Sequence, residues 1–329
     1  MKLLTVSVAA YNVEAYLDKC LGSFADDRLA EGLEVLVIDD GSTDRTAAIA
    51  KEWQERYPAI FRLISKENGG HGSTVNRGMA EAQGKYFRVV DGDDWVDTDA
   101  LVSLLKELEE TDTDMVLDQR TFVDMQTGRE TRNPYPGGTP LSRPVPFLEY
   151  AEGRYADFYN LHTLSVRTEL LREWQIRLQE GIFYVDYEYV LKTTARCRTV
   201  TFLPLFVYYY LVGNSAQSVD PANYVRRISH HRQMTEEVLR WTEESGFTGR
   251  LGDYVDRRVR LLIYTHYNIA LIYDKDRRRG AARGKEFRKY LKKNYPRFAK
   301  ATARRYWEAK ALHLLGVDFD KLEKMRGRR

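Results

Sequence analysis

Short apolar runs alternate with segments of helical periodicity over the first hundred residues of the chain. Four of the runs have the length of buried strands: 3–10, 33–38, 61–65 and 86–90. Between them lie segments whose apolar residues recur three or four positions apart, as in a helix that covers a sheet: 13–24, 44–57 and 74–82. This alternation predicts an α/β domain with a mostly parallel sheet flanked by helices.

Acidic clusters follow two of these strands at the point where each strand ends. Asp39 and Asp40 follow the run EVLVI, and Asp91, Asp93 and Asp94 follow YFRVV. Because ligands bind at the carboxyl ends of strands in open α/β sheets, we expect both clusters at one site. Crowded carboxylates repel one another unless a cation or hydrogen-bond donors separate them, and oxygen ligands indicate Mg²⁺ or Mn²⁺. The structural alternative is that these are turn and N-cap aspartates.

The glycines do not form the common phosphate-binding signatures. The sequence has no G-x-x-x-x-G-K-[ST], and AAYNVEAY follows the first strand where a dinucleotide-binding fold would have G-x-G-x-x-G. Gly69, Gly70 and Gly72 instead enter a helix, where they either bring backbone amides near phosphate or form a tight turn. P-loop and dinucleotide-binding classes therefore lose their main support.

The composition excludes a membrane bundle and a disordered chain. Hydrophobic residues make up 43% and charged residues 30% of the chain, and no apolar stretch approaches the roughly 20 residues that cross a bilayer. Tyr11, Asn12 and Glu14 stand where a signal peptide would have its cleavage site. Cys20 and Cys197 are far apart, which fits a reducing compartment. We therefore expect a cytoplasmic protein.

Basic residues are concentrated near the C-terminus, in a segment that we predict to be largely helical beyond residue 220. Lys275–Lys310 holds fifteen Lys and Arg residues against three acidic ones, although the whole chain carries a net charge of only +3. Such asymmetry predicts a polyanionic partner, either acidic lipid or nucleic acid. Apolar residues recur among the cations and predict an amphipathic basic surface, with an ordinary solvated helix face as the alternative: Phe287, Tyr290, Leu291, Tyr295 and Phe298.

Four ordered motifs together resemble the family 2 glycosyltransferases of the GT-A fold, and bacterial members in particular: VSVAAYNVEAYLDKCLGS, EVLVIDDGSTDRT, NGGHGSTVNRGMAEAQGKYFRVVDGDDW and YVDYEY. The resemblance covers about residues 1–215. It implies a GT-A domain over 1–220, with a nucleotide-sugar half at 1–115 and an acceptor half at 116–220. A helical, basic region over 221–329 follows.

The resemblance also implies roles for individual residues. Asp40 would hydrogen-bond the nucleotide base, and Tyr11 would pack near it. Asp91 and Asp93 match the D-x-D that holds ribose and metal-diphosphate, so both are candidate metal ligands. The full nucleotide-sugar set is Ala9, Tyr11, Asp39, Asp40, Asn76 and Asp91, and the tentative acceptor set is Asp94, Trp95 and His162.

The chemistry of glycosyl transfer gives these roles a physical basis. Displacing a nucleoside diphosphate from an anomeric carbon requires neutralisation of the leaving phosphates, and a carboxylate must take the proton of the attacking hydroxyl. Asp186 is the predicted base, with Glu188 in reserve. The two side chains would share a face if YVDYEY formed a strand, but not at the start of a helix.

Two departures from the family pattern refine the expected activity. Ala9 and Ala10 replace a small or hydroxylated residue and a proline, and Val75-Asn76 replaces Arg-Asn, which removes one expected charge contact. No Q-x-x-R-W follows YVDYEY, which argues against the processive synthases. We therefore expect a non-processive, inverting hexosyl- or N-acetylhexosaminyltransferase that uses a UDP-sugar and acts on a glycan or lipid-linked envelope acceptor.

The basic segment and the fold class leave other interpretations open. With this activity, Lys275–Lys310 is expected to contact an anionic membrane peripherally on its inner face, and no nucleic acid partner is expected. A sugar-nucleotide pyrophosphorylase would need a glycine- and cation-rich loop after strand one, where AAYNVEAY stands. A nucleic-acid-binding module would leave both acidic clusters unexplained.

Overall fold

The computed structural model of the chain describes residues 2–213 and 220–325. The chain divides into two compact units, Met1–Asn214 and Ser215–Arg329, where the sequence predicts a boundary at 220. The first unit contains the sheet, and the described part of the second is helical.

Ten strands form one mixed sheet in the described part of the first unit. Their bounds are β1 Leu4–Ala10, β2 Leu33–Asp39, β3 Phe61–Ser65, β4 Tyr86–Asp91, β5 Trp95–Val96, β6 Met115–Asp124, β7 Glu130–Asn133, β8 Pro144–Pro146, β9 Leu164–Arg167 and β10 Thr199–Val212. The order is β3-β2-β1-β4-β9-β6-β10-β5, with β7 beside β6 and β8 beside β10. The predicted parallel pairing of β3, β2, β1 and β4 is confirmed, while β9 runs antiparallel to both β4 and β6.

Seven helices flank this sheet in the described residues of the first unit: α1 Glu14–Gly22, α2 Thr46–Arg56, α3 His71–Glu81, α4 Thr98–Glu110, α5 Phe147–Tyr150, α6 Thr168–Glu173 and α7 Val185–Thr194. The helix α3 starts earlier than the predicted residue 74, because Gly70 adopts a φ of 77° and turns the chain directly into it. The segment YVDYEY lies in α7, so it is a helix start and not a strand.

The central strands are buried, and their register places the two acidic clusters at one edge of the sheet. All residues of β2 are buried, as expected for a parallel strand covered on both faces. On one face Leu17, Cys20 and Leu21 of α1 belong to the same buried core as β1 and β2. The strand register then places Asp39 beside Ala10 and Asp91 beside Ala9, so the two clusters share one edge.

The second unit is helical, as the sequence predicts. Its described helices are α8 Pro221–Arg226, α9 Ile228–Ser245, α10 Gly249–Asn268, α11 Arg277–Asn294, α12 Pro296–Ala301, α13 Ala303–Leu314 and α14 Phe319–Met325. A π-helical turn, Ile269–Tyr273, extends α10. Among the described residues, every helix is too short or too polar to span a membrane.

The apolar residues among the C-terminal cations lie mostly inside this unit. Phe287, Leu291 and Phe298 are buried. The prediction that these residues form the apolar side of an exposed amphipathic surface is therefore wrong. Helical spacing is the same for residues that face a protein core and for residues that face lipid, which is why the sequence pattern did not separate the two.

A pair of buried histidines joins α9 to α10. His231 Nδ1 lies 3.2 Å from His266 Nδ1, and the ring of His266 packs on Phe287 at a centroid distance of 4.0 Å. Burial lowers the pKa of His231 to about 3. Burial, followed by the charges of His231, Arg232 and Arg283, holds the pKa of His266 well below its usual value. Both imidazoles are therefore neutral near pH 7.

We predict that acid destabilises the second unit through this pair. An unfolded histidine binds a proton near pH 6.5 and the folded pair does not, so stability is full above that pH and falls as the pH drops below it. At pH 5 the loss is about 2 kcal/mol for each histidine. Urea unfolding at pH 7 and pH 5, with hydrogen exchange followed in α9 and α10, measures it.

The double variant His231→Gln and His266→Gln should show a smaller drop between the two pH values. The matched control is His230→Gln, which changes the half-buried histidine next to the pair and should keep the full drop. An equal drop in the double variant would assign the acid sensitivity to other groups.

Candidate active site

Asp40 ties the end of β2 to the glycine turn that precedes α3. Its carboxylate accepts hydrogen bonds from Lys66 Nζ at 2.5 Å, Gly69 N at 2.9 Å, Gly70 N at 2.8 Å and Ser73 Oγ at 3.2 Å. The side chain is buried, and an ionised carboxylate offers about four acceptor positions in all. Asp40 therefore holds this loop in place, and its contact with a nucleotide base stays a prediction.

Asn76 of α3 fixes the segment that precedes α7. Its Nδ2 donates to Leu178 O and to Glu180 Oε1, each at 2.9 Å, and its Oδ1 accepts from Leu178 N at 2.9 Å. These contacts use both the amide group and the carbonyl group. The structure thus gives Asn76 a role in joining two segments of the site, in addition to its predicted place in the nucleotide-sugar set.

Two backbones meet where the glycine turn faces this segment. Gly181 N donates to Gly69 O at 2.6 Å. A Cβ added to Gly72 would lie 2.0 Å from the carbonyl oxygen of Gln179, so any larger residue would force the two backbones apart. The glycines therefore serve close packing between α3 and the segment that leads into α7.

His71 opens α3 and is close to two carboxylates. Its Nε2 lies 3.2 Å from Asp91 Oδ1. Burial lowers the pKa of His71, but the hydrogen bond to Asp91 and the charges of Asp91 and Asp186 outweigh it, so the pKa is raised. Burial raises the pKa of Asp186, and the charge of His71 opposes this rise. The predicted base therefore lies within electrostatic reach of the strand-end cluster.

Asp91, Asp94 and His162 form a candidate metal-binding group. Each offers one ligand atom, and these three atoms lie within 4.8 Å of one another. His162 Nδ1 is buried 4.0 Å from Asp91 Oδ2 and has no hydrogen-bond partner among the described residues. Burial lowers the pKa of His162 to about 4, which leaves the neutral imidazole that binds metals.

The electrostatics of the two aspartates also fit a cation. Burial would raise the pKa of Asp91, but the hydrogen bond and charge of His71 lower it to about 2. Burial and the charges of Asp91 and Asp93 raise the pKa of Asp94 to about 9. Negative charge on Asp94 is thus unfavourable in the protein alone, and a bound cation would relieve it.

Residues of three strands, β4, β6 and β10, hold these ligand candidates. Asp94 accepts hydrogen bonds from Tyr208 Oη at 2.6 Å and Leu211 N at 2.8 Å. Arg88 donates to the carbonyl oxygen of His162 at 2.8 Å and forms a fully buried ion pair with Asp118 at 2.7 Å. Arg88 and Asp118 were not among the residues predicted for the site. A charged residue inside the apolar strand YFRVV is the signal that points to Arg88.

The structure changes the candidate metal ligands. The sequence pairs Asp91 with Asp93, whereas the structure groups Asp91 with Asp94 and His162, both of which were expected to face the acceptor. Asp93 is half-buried, and burial together with the charge of Asp91 raises its pKa to about 6. Asp94 is thus an additional candidate ligand, and the predicted role of Asp93 in the D-x-D stays a prediction.

Glu188 and Trp95 make contacts that fit packing roles. Glu188 is fully buried, its Oε1 lies 2.5 Å from Lys192 Nζ, and its other oxygen accepts from Gln179 N at 3.3 Å. Trp95 stacks on Tyr209 with a centroid distance of 5.5 Å. The role of Asp186 as base stays a prediction.

The remaining members of the nucleotide-sugar set lie at the same strand ends. Tyr11 is 50% exposed directly after β1, where a base could pack on its ring. Asp39 is buried and accepts a hydrogen bond from Ser42 N at 3.1 Å. The carbonyl oxygen of Ala9 accepts from Gly92 N at 3.0 Å, which holds the turn after β4 against β1.

Comparison with known proteins agrees with this fold. The family model described as glycosyl transferase family 2 matches residues 5–173. The chain is 34% identical over 132 residues to the uncharacterized glycosyltransferase EpsJ of Bacillus subtilis, which is 38% of either protein. It is 26% identical over 227 residues to the cholesterol galactosyltransferase of Borreliella burgdorferi, covering 66% of this chain and 62% of that protein.

A solved structure resembles the whole chain. S. aureus TarS 1–349 in complex with UDP-GlcNAc matches with a TM-score of 0.69 and 19% identity, over 97% of this chain and 93% of that one. At this identity the likeness shows the shared GT-A fold. The matches to the first three curated relatives cover only 38%, 16% and 32% of those proteins.

We predict that Gly72→Ala destabilises the site. The added methyl group meets the carbonyl of Gln179, and relieving such overpacking costs about 1–3 kcal/mol or more. The melting temperature should fall by several degrees, and the affinity for UDP should weaken because α3 shifts. The control is Gly137→Ala, where an added Cβ meets nothing within 4 Å. Equal melting temperatures for the two variants would contradict the close packing.

Proposed function

This chain belongs to glycosyl transferase family 2 and is a transferase, and on that premise we propose that it moves a sugar from a UDP-sugar to an acceptor hydroxyl with inversion. The observation that carries the proposal is the position of Asp91. One of its oxygens faces His162 of the candidate metal group, and the other contacts His71, whose charge acts on Asp186. The carboxylate of Asp91 thus connects the candidate metal group to Asp186, the candidate base.

The donor is proposed to bind at the ends of β1, β2 and β4. Tyr11 is the exposed ring for the base, and the buried Asp39 and Asp40 lie at the end of β2. The two complexes of TarS, with UDP-GlcNAc and with UDP, support uracil as the base. The identity of the sugar follows from none of these contacts.

Asp91, Asp94 and His162 would hold a divalent cation, Mn²⁺ or Mg²⁺. Two carboxylates match the preference of both ions, and the unpartnered Nδ1 of His162 supplies a third ligand atom. A solved mannosyltransferase from Pyrobaculum calidifontis, with a TM-score of 0.51, is in complex with GDP-Man and Mn²⁺, which supports Mn²⁺. When bound, such an ion neutralises charge on the leaving diphosphate.

Asp186 is proposed to take the proton from the acceptor hydroxyl. Burial raises the pKa of its carboxyl, which makes the carboxylate a better proton acceptor than a solvated aspartate. A single displacement with a general base on the face opposite the leaving group inverts the anomeric configuration. Glu188 is paired with Lys192, so it is the weaker candidate.

The acceptor is proposed to be a glycan or a lipid-linked sugar at the inner face of a membrane, with one sugar transferred in each binding event. The fifteen cations of Lys275–Lys310 support contact with an anionic surface. Two relatives support envelope or lipid acceptors by their names, a cholesterol galactosyltransferase and a minor teichoic acid biosynthesis protein.

We predict that UDP stabilises the protein against heat by several degrees more with Mn²⁺ than with EDTA, as measured by the melting temperature. Asp91→Asn and His162→Gln should each abolish this difference, because each removes a ligand atom. The control is Asp93→Asn, which leaves the three-residue group intact and should keep the difference. If Asp93→Asn abolishes it while His162→Gln keeps it, the ligands are instead the D-x-D pair. Equal stabilisation in EDTA would remove the metal from the proposal.

We predict that Asp186→Asn lowers kcat by about 10² to 10⁴ and leaves donor affinity within a few-fold, because a general base contributes that much to rate. Glu188→Gln should chiefly lower the melting temperature, since it leaves Lys192 buried beside a neutral amide. Sugar release from labelled donor into acceptor or water gives kcat, and UDP titration gives affinity. Normal turnover in Asp186→Asn together with loss of turnover in Glu188→Gln would assign the base to Glu188, and normal turnover in both variants would place the base outside this segment.

A further inference from the structure

Helix α13 of the second unit has an exposed apolar stripe. We define the α13 stripe as Trp307, Leu314 and Leu315, which are 56%, 69% and 78% exposed. The small residue Ala311, also exposed, lies between them. Positions 307, 311, 314 and 315 fall on one face of a helix, so the exposed apolar side chains are neighbours on the surface.

The opposite face of α13 packs within its own unit. Tyr306 and His313 are buried, with the ring of Tyr306 at 5.2 Å from that of Tyr267 and His313 Nδ1 at 2.8 Å from Leu271 O. The helix is therefore anchored by one side. The stripe is a second apolar face, beyond the one that the core of the unit uses.

Cations border the α13 stripe along its length. Lys310 Nζ lies 5.0 Å from the ring centroid of Trp307, and Arg304, one turn before it, has a 92% exposed side chain. At the other end Arg277 donates to the carbonyl oxygen of Leu314 at 3.2 Å, and Lys321 donates to Gly316 O at 2.8 Å. Positive charge therefore accompanies exposed apolar surface at both ends of the stripe.

Acidic charge on α13 is neutralised. Glu308 is the acidic residue of this helix, and its carboxylate lies 2.8 Å from Arg304 Nε and 3.6 Å from an Arg305 nitrogen. On α13 itself Arg304, Arg305 and Lys310 outnumber Glu308, so a partner that meets this helix encounters net positive charge beside apolar side chains. That combination matches the surface of an anionic bilayer, which offers negative headgroups above an apolar layer.

We propose that the α13 stripe docks on an anionic lipid surface, with Trp307, Leu314 and Leu315 entering the interface and the bordering cations contacting headgroups. Tryptophan prefers the boundary between water and lipid, and lysine and arginine extend toward headgroups. This inference rests on the proposed membrane-proximal acceptor and names the surface that reaches the membrane. It replaces the buried face of α11 and α12 that the sequence pattern indicated.

The test is cosedimentation of the full chain with vesicles of phosphatidylcholine alone or mixed with phosphatidylglycerol. Binding should require phosphatidylglycerol and should fall at least tenfold between low and high salt. Trp307→Ser combined with Leu314→Ser should lower the apparent affinity at least tenfold. The matched control is Leu261→Ser, which removes a 51% exposed leucine from α10 and should change binding less than twofold.

Other outcomes would overturn the assignment. Equal loss in the Leu261→Ser control, or no vesicle binding by the unaltered chain at low salt, rejects the stripe. A change of oligomeric state in light scattering, without vesicle binding, assigns the stripe to a second copy of the chain. Binding to duplex DNA that the double variant abolishes, again without vesicle binding, assigns it to nucleic acid.

The experiment separates this inference from the proposed function. The double variant should keep the Mn²⁺-dependent stabilisation by UDP, because its changes lie in the second unit. If vesicle binding holds while that stabilisation is missing from the unaltered chain, the proposed transfer fails and the docking surface stands. If stabilisation holds and vesicle binding is absent, only the docking surface fails.

Discussion

The carboxylate of Asp40 is the contact on which the rest of the site depends. It gathers Lys66, two backbone amides and Ser73 around one buried side chain, which fixes the glycine turn against the end of β2. Breaking a buried pair of this kind costs about 3–5 kcal/mol, since the remaining charge is left unpaired. This glycine turn determines where α3 starts. From α3, His71 contacts Asp91, and Asn76 holds the segment before α7. The position of Asp186 is therefore fixed by contacts that begin at Asp40.

Repulsion among carboxylates explains the chemistry of the same edge. Asp91 keeps its charge because His71 donates a hydrogen bond to it, whereas Asp94, beside Asp91 and Asp93, has its pKa raised to about 9. Without a cation the cluster favours a protonated Asp94; with one, both carboxylates can ionise. Binding of the proposed metal ion would therefore be coupled to ionisation of the site, and such coupling would suit the negatively charged diphosphate of the proposed donor.

Much of the fold followed from the sequence, and part of the site did not. The period of the apolar residues predicted the four parallel strands, the helices that flank them and the helical C-terminal region, and the resemblance predicted the GT-A fold. The segment YVDYEY fits both strand and helix periods, so only the structure shows that Asp186 starts α7. His162 lies just before β9, and the position of this strand brings it near Asp91 and Asp94. Local sequence pattern does not predict that β9 runs antiparallel between β4 and β6. Likewise, the spacing of Phe287 and Leu291 could not tell a core face from a surface.

The ion pair of Arg88 and Asp118 is best explained by the geometry of His162. A fully buried pair is weak evidence for stability, because removing two charges from water costs about as much as their attraction returns. Burial even raises the pKa of Asp118 to about 6 against the opposing charge of Arg88. The pair orients Arg88 toward His162. Arg88 donates through Nε and a terminal nitrogen to the carbonyl oxygen of His162, at 3.2 and 2.8 Å. Arg88 of β4 holds the backbone of His162, and the imidazole lies beside Asp91, which is also in β4. This strand therefore carries both a ligand candidate and the residue that positions a second ligand candidate, His162.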